Sequence, residues 1–284
     1  QVALVILAIF LVTPFALAED FDWRNFNGQN WITPVRDQGN AGTCWAFAAT
    51  AAVEAKYKIT RNDPLFNLDL SEQNLVCGGV GTANGGGRVD DAFDYYLSTG
   101  CVRESELHYT ASDSALPGEW PLQAGWQDRV VKITAHSSGP GLTQTSLIKD
   151  YLKTHGPLGM HMYVDDEWYP PGTRRGVHAV LIVGFHDDSS LPGGGYWIVK
   201  NSWGTGWGDS GYGKILYGDG IELFSLYQGI AYATGAWATA TWQGGNTWQA
   251  GLSNWISNGS SHSWVNQETK AVFDTAGGPV TISG

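Results

Sequence analysis

The pattern of apolar and polar positions divides the chain into a helical first half and a stranded second half. An Ala-rich stretch at 43–59 places Trp45, Ala49 and Ala52 on one face at helical spacing, which predicts the longest helix of the chain. Glycine or proline follows each of the later helical stretches and ends it. These further helices are predicted at 71–76, 89–98 and 143–155.

After Pro157 the apolar runs become short, and clusters of Gly, Pro, Asp and Ser separate them. Runs of this kind predict strands at 158–164, 177–185, 196–200 and 212–217. Helices that precede strands, instead of alternating with them, indicate an α+β fold with two segregated lobes.

The two ends of the chain differ from this middle part. Residues 1–18 are apolar and uncharged, and Ala16-Leu17-Ala18 supplies small residues for a cleavage site, so we expect 1–18 to be a signal peptide. A membrane anchor is the alternative, although Pro14 interrupts the run. The predicted main domain is 19–234.

Residues 235–284 have a composition of their own, with few charges and with tryptophans among Gly, Ser, Thr and Asn. The tryptophans that recur at short intervals are Trp242, Trp248, Trp255 and Trp264. This part of the chain is predicted to form a separate small β module.

Charge and composition exclude several classes of partner. The formal net charge is −11, and an acidic protein repels phosphate backbones, so no nucleic-acid partner is expected. No basic amphipathic stretch indicates a membrane-surface site. Spacings typical of metal ligands are also missing, so we expect neither a metal nor a cofactor.

Four residues carry candidate chemistry. Cys44 lies in the first turn of the long predicted helix, where a helix N-terminus favours the thiolate. His178 lies in an apolar strand-like run and can serve as the base, with Asn201 as a neutral residue that orients it. Gln38 can form an oxyanion hole with the Cys44 backbone N–H.

The segments that contain these residues resemble the papain-like cysteine peptidases. The matching strings are QGNAGTCWAF at 38–47, NGG at 84–86, VHAV at 177–180 and KNSWGTGWG at 200–208. The resemblance implies a papain-like two-lobed fold with a helical lobe, an antiparallel β-barrel-like lobe and an active-site cleft between them. It also implies hydrolysis of protein or peptide substrates through an acyl-enzyme on Cys44.

The same resemblance assigns residues to substrate binding. It implies that Gly85 and Gly86 bring backbone close to an extended substrate, and that Trp203 shields the contact between Asn201 and His178. Gly87 and Arg88 would form one wall of the specificity pocket. His161 and Val177 would line the opposite side. We expect an open pocket that tolerates polar or acidic side chains near Arg88, unless Arg88 points to solvent.

The cysteines depart from the family pattern. Ala41 and Ala83 stand where the family usually has the two halves of one disulfide. Cys77 and Cys101 resemble another bridge of the family and are expected to pair, which would leave Cys44 as the free thiol. The family's long inhibitory propeptide has no counterpart between residue 18 and the predicted domain.

Several readings stay open. The first is a secreted or cell-surface thiol peptidase, and the missing occluding insertion favours endopeptidase action. An inactive papain-like domain that binds or supports other proteins is the alternative. Transglutaminases and peptidoglycan amidases place an acid after the histidine and lack the Asn-Ser-Trp-Gly run.

The C-terminal module resembles Trp-rich repeats of bacterial autotransporter-associated surface proteins, which indicates surface association. An ordinary β appendage or a carbohydrate-binding surface are the other options.

Overall fold

The computed structural model of the chain describes residues 18–139, 144–164 and 176–218, together with short strands beyond residue 229. The helices are α1 (Cys44–Arg61), α2 (Glu72–Cys77), α3 (Val89–Ser98) and α4 (Thr145–His155). The strands of the main sheet are β1 (Asp20–Asp22), β2 (His136–Gly139), β3 (Leu158–Val164), β4 (Gly176–Asp187), β5 (Gly195–Lys200), β6 (Tyr212–Leu216) and β7 (Ile230–Ala233).

Helix α1 is the centre of the helical lobe. It is buried along most of its length because alanines let neighbouring elements approach on several sides. Its C-terminal cap is Asn62, which takes a left-handed conformation with φ of 52°. Helix α2 begins after Ser71, whose hydroxyl accepts a hydrogen bond from the Asn74 N–H.

The main sheet is antiparallel throughout and has the order β2-β7-β3-β4-β5-β6, with β1 paired to β4. Strand β4 is buried from His178 to Phe185 because it pairs on both edges and packs against α1. A bulge lies between Ile182 and Gly184. A side chain at Gly184 would come within 2.5 Å of the Phe21 carbonyl. Glycine at this position therefore lets β1 approach and pair with β4.

The packing of α1 on β4 places the N-terminal end of α1 against the start of β4. Buried apolar residues of both elements share one hydrophobic core, including Ala49 and Val53 of α1 and Val180 of β4. This packing joins the two lobes and sets the position of any group at the tip of the helix.

The α+β, papain-like two-lobed expectation is confirmed. All four predicted helices and all four predicted strands are present, with ends shifted by at most two residues. Strands β1 and β2 were not predicted, because they are short and lack a period of their own.

The C-terminal region contains a second small sheet. Its strands are β8 (Thr239–Trp242), β9 (Trp255–Ser257), β10 (Ser260–His262) and β11 (Lys270–Val272), in the order β10-β9-β8-β11. Most of the predicted Trp-rich module, and residues 1–17 of the predicted signal peptide, lie outside the described residues. None of the helices in the described ranges combines the length and the apolar character needed to cross a membrane.

Candidate functional site

Cys44 is the first residue of α1, directly after its N-cap residue Thr43. The Cys44 thiol faces strand β4, where the backbone N–H of Ala179 acts to lower its pKa. Because Ala179 follows His178 in the chain, the thiol of the helical lobe lies against the backbone next to the histidine of the sheet lobe. The predicted nucleophile and base are thus carried by two elements that pack on each other, α1 and β4.

His178 is held by an amide from the neighbouring strand. Its Nε2 lies 2.8 Å from Oδ1 of Asn201, which directly follows β5. The same Oδ1 accepts the Ser202 backbone N–H at 2.7 Å. An amide oxygen can only accept, so the network assigns the imidazole proton to Nε2 and leaves the lone pair on Nδ1. This tautomer is the one that a general base requires.

An indole covers this pair from one side. The rings of Trp203 and His178 are stacked, with centroids 4.5 Å apart and 30° between their planes. Trp207 packs edge-on against Trp203 with a centroid distance of 5.5 Å. His178 and Asn201 are each only 2% exposed, so their hydrogen bond is shielded from water as the resemblance implied.

Gln38 is fixed at both ends of its side-chain amide. Its Nε2 donates to the Ala41 carbonyl at 2.7 Å, and its Oε1 accepts the Ser202 hydroxyl at 2.5 Å. Its backbone N–H donates to the Ser202 carbonyl at 2.8 Å. One hydrogen of the Gln38 amide nitrogen remains for a further acceptor.

Two residues of this network had no assigned role in the sequence. Ser202 joins Gln38 to the Asn201 segment. In the sequence, only its place between Asn201 and Trp203 could have indicated a role for it. Tyr109 donates its hydroxyl hydrogen to the Gln38 carbonyl at 2.9 Å and lies 2.5 Å from the Thr43 hydroxyl. Tyr109 lies in an irregular stretch, where no periodicity marks a functional residue.

Burial controls the proton equilibria of the site. Burial raises the pKa of the Cys44 thiol, although the N–H groups of Ala179, Trp45 and Cys44 itself act in the opposite direction. Burial likewise lowers the pKa of His178 to about 4, against the hydrogen bond to Asn201, which raises it. The N–H groups at the helix N-terminus lower the pKa of Cys44 as expected, but desolvation of the sulfur outweighs them and the net shift is upward.

The loop with Gly85 and Gly86 lies beside the N-terminal end of α1, where Gly42 N–H donates to the Ala83 carbonyl at 2.5 Å. Both polar backbone groups of Gly86 are engaged within the loop. Its carbonyl accepts from Thr82 N–H at 2.9 Å, and its own N–H donates to the Thr82 carbonyl at 3.1 Å. The Gly86 N–H is therefore not free to bind a substrate in this arrangement.

The first predicted pocket wall consists of Gly87 and Arg88. A side chain at Gly87 would meet the buried Trp45 indole at 2.6 Å, so glycine serves close packing at this position. Arg88 caps α3 and pairs with Asp90 through two guanidinium nitrogens. The positive charge of Arg88 is therefore matched by an acid of its own helix.

The opposite wall is formed on one face of the β3–β4 pair. His161 lies opposite Ala179, and Val177 lies opposite Tyr163 in the next pair of the same face. His161 is buried beside the Gly87 backbone, which holds its ring, and burial lowers its pKa to about 4. Val177 is 53% exposed, so only His161 forms an enclosed wall.

The predicted disulfide is not formed in the structure, where Cys44, Cys77 and Cys101 are all free thiols. The buried Cys101 thiol lies 3.2 Å from the Ser71 carbonyl. The sulfur of Cys77 instead accepts from the Gln73 amide at 3.5 Å. Each sulfur therefore has a separate polar partner.

A small polar cavity lies behind the site. Glu54 and Glu72 of the helical lobe and Lys200 of β5 line it. Burial raises the pKa of both carboxyl groups and lowers the pKa of Lys200 to about 8. In the described ranges, no group of three or more His, Cys, Asp or Glu side chains is arranged to hold a metal ion.

Comparison with known protein families matches residues 17–232 to the family described as papain family cysteine protease. A cysteine protease of Blomia tropicalis is 31% identical over 242 residues, which are 75% of this chain and 66% of that protein. A viral cathepsin of Epiphyas postvittana nucleopolyhedrovirus is 35% identical over 208 residues, which are 69% of this chain and 58% of the cathepsin.

Solved structures give the same result. Digestive procathepsin L 3 of Tenebrio molitor superposes with a TM-score of 0.60 at 27% identity, covering 79% of this chain and 72% of that chain. The bromelain protease of Ananas comosus, solved with the E64 inhibitor, has a TM-score of 0.58 at 28% identity and covers 76% and 99% of the two chains. The chain spans between 55% and 66% of the length of the curated relatives that it matches.

Proposed function

Because the chain belongs to the papain family of cysteine proteases, we propose that it is a thiol endopeptidase that cleaves proteins or peptides through an acyl-enzyme on Cys44. The observation that carries the proposal is the imidazole of His178, whose Nε2 is held by Asn201 at 2.8 Å, on the strand whose Ala179 N–H acts on the Cys44 thiol. The Nδ1 lone pair of His178 is then the base of the site.

The reaction requires transfer of the Cys44 thiol proton to His178. Burial opposes a thiolate and an imidazolium taken separately, but transfer of one proton inside the site leaves the pair with no net charge. As the Cys44 sulfur attacks the scissile carbonyl, its proton passes to Nδ1 of His178. The uncharged Asn201 orients the imidazolium without adding a carboxylate to the site.

The tetrahedral intermediate requires donors for its oxyanion. We assign this role to the backbone N–H of Cys44 and to the remaining N–H of the Gln38 amide, which Ala41 and Ser202 fix. When the intermediate collapses, the C–N bond breaks and the leaving amine takes the proton from His178. Water then attacks the thioester with His178 as base, which releases the acid and restores the thiol.

Substrate binding is assigned to the Gly85–Gly86 loop and to the pocket beside it. The Gly86 carbonyl keeps a second lone pair, so a substrate N–H can donate to it without breaking the turn. The Gly86 N–H can bind a substrate carbonyl only if its bond to Thr82 is exchanged. Arg88, His161 and Val177 border the pocket, Gly87 closes its base, and Trp203 covers the leaving-group side.

The location of the enzyme is proposed to be outside the cytoplasm, either secreted or at the cell surface. The support is the apolar stretch at 1–18 with its small residues before Glu19. Surface association through residues 235–284 is part of the same proposal, and the Trp-rich composition of this region supports it.

Labelling with an epoxide inhibitor of papain-type enzymes tests the proposed chemistry. We expect one equivalent of label on the wild-type protein and none on Cys44→Ser. Cys77→Ser is the matched control because Cys77 is a partly exposed thiol outside the site, and it should be labelled like the wild type. Labelling that persists in Cys44→Ser contradicts the assignment of the nucleophile. Absence of labelling and of peptide cleavage in the wild type favours the inactive binding domain.

A further inference from the structure

The segment of residues 109–114 contacts two parts of the proposed site. At one end the Tyr109 hydroxyl donates to the Gln38 backbone carbonyl at 2.9 Å. At the other end the Asp113 carboxylate accepts the Ala83 N–H at 2.5 Å and lies 3.4 Å from Nδ2 of Asn84. The 109–114 segment therefore connects the oxyanion glutamine with the substrate-binding loop at 82–86.

A buried side chain anchors this segment in the helical lobe. Gln73 of α2 is fully buried, and its Nε2 donates to the Ser112 carbonyl at 3.0 Å. Its Oε1 accepts from both the N–H and the hydroxyl of Thr110 at 3.0 Å. Asp113 thus directly follows a backbone that Gln73 fixes at Thr110 and Ser112, so its carboxylate can hold the loop in a defined position.

The loop at 82–86 has few connections to the rest of the protein. Half of its hydrogen bonds are internal, such as the bond from Gly85 N–H to the Thr82 hydroxyl at 2.7 Å. Among the described residues, the hydrogen bonds that leave the loop are the one from Gly42 to Ala83 and those to Asp113. Ala41 and Ala83 provide no covalent link. A charged acceptor makes stronger hydrogen bonds than a neutral one. The bonds to Asp113 therefore contribute much of the attachment of this loop to the rest of the protein.

We propose that Asp113 is a positioning residue. Its carboxylate holds the 82–86 loop in the position in which an extended substrate can pair with Gly86. The proposal rests on the proposed function, because it assumes that the loop binds the acyl side of a peptide. It predicts that loss of the carboxylate weakens the binding of substrates that reach the loop and leaves the chemistry at Cys44 unchanged.

The test compares two substrates in three variants. One substrate is a tetrapeptide amide that extends along the loop, and the other is an ester of a single blocked amino acid that does not reach it. Asp113→Ala should raise KM for the tetrapeptide roughly 5- to 15-fold, the effect of losing hydrogen bonds to a charged group. Its kcat and its activity on the ester should stay within about twofold of the wild type.

Asp113→Asn keeps one acceptor for the Ala83 N–H and should give an intermediate KM, which also provides a second measurement if the alanine variant folds poorly. Ser112→Ala is the matched control, since its hydroxyl contacts Thr110 and Ser114 of the same segment and not the loop. It should leave both substrates unchanged.

Three results would overturn the positioning role: an unchanged KM in Asp113→Ala, equal losses on both substrates, or an equal loss in Ser112→Ala. These failures are distinct from failure of the proposed function. If the wild type cleaves neither substrate and takes no epoxide label, the function itself is wrong and the role of Asp113 falls with it.

Discussion

The Ser202 hydroxyl donates a hydrogen bond of 2.5 Å to the side-chain oxygen of Gln38, a residue 164 positions away in the chain. The backbone N–H of the same serine donates to the Asn201 oxygen that holds His178. One residue thus contacts both the amide that we propose as an oxyanion donor and the amide that holds the imidazole of His178.

Replacement of this serine should weaken oxyanion stabilisation. In Ser202→Ala the Gln38 amide loses the contact that fixes its orientation, and we expect kcat to fall roughly tenfold with little change in KM, less than the loss of a whole oxyanion donor. The rate of Cys44 alkylation by iodoacetamide should not change, because alkylation forms no oxyanion. Steady-state kinetics and alkylation rates check this, and a parallel fall of both would show that the serine acts on the thiol instead.

The buried acids behind the site should make stability fall as the pH rises. Burial raises the pKa of Glu72 well above 4.5 and raises that of Glu54. Above pH 4.5 the folded state therefore keeps protons that the unfolded state has released, and its stability declines until the folded pKa values are passed. The groups that face Glu72 are Glu54, Glu104 and Asp69, which add to the effect, and the cavity also holds Lys200 and Arg36.

The corresponding measurement is denaturant unfolding of the wild type and of Glu72→Gln between pH 4.5 and pH 7.5. This range stays below the value of about 8 to which burial lowers the pKa of Lys200, so Lys200 keeps its proton throughout. A neutral amide cannot lose a proton, so the decline with pH should be shallower in Glu72→Gln. Asp128→Asn, at an exposed position, should keep the slope of the wild type. Identical slopes in all three proteins would contradict a raised pKa at Glu72.

The pairing of Arg88 with Asp90 predicts a hidden preference for acidic substrates. In the wild type this ion pair masks the guanidinium, and His161 is neutral near pH 7 because burial lowers its pKa to about 4. Asp90→Asn should therefore raise kcat/KM for a peptide with Glu in the pocket position, relative to Leu, by roughly 3- to 10-fold, less at high salt. Arg88→Ala added to Asp90→Asn should remove the gain. A gain that survives this second change would show that Arg88 does not face the pocket.

A new disulfide should replace the support that Asp113 gives to the substrate-binding loop. Ala41 and Ala83 are buried beside the hydrogen bond from Gly42 to Ala83. The double variant Ala41→Cys/Ala83→Cys is expected to form a bridge that adds about 3 kcal/mol to the free energy of unfolding. Thiol counting and unfolding with and without reductant measure both effects.

In the same bridged background, Asp113→Ala should show a tetrapeptide KM close to that of the wild type. Reduction of the bridge should bring back the weak binding. A KM that stays high in the oxidised protein would mean that Asp113 acts on something other than the position of the loop.

The sequence by itself determined the local elements and the identity of the site. Helical periodicity set α1 and placed Cys44 in its first turn, and the strings around Gln38, His178 and Asn201 indicated the family and the two-lobed fold. These features depend on neighbours within a few residues, and side-chain period, glycine and proline are read directly from the chain.

Only the tertiary structure decided how the site is held and how its protons are distributed. The Ser202–Gln38 bond, the clamp of Asp113 on the 82–86 loop and the internal use of the Gly86 N–H join residues through packing, which spacing does not encode. The pKa of Cys44 rises instead of falling because enclosure of the sulfur between α1 and β4 removes water, and desolvation depends on the three-dimensional surroundings of a group.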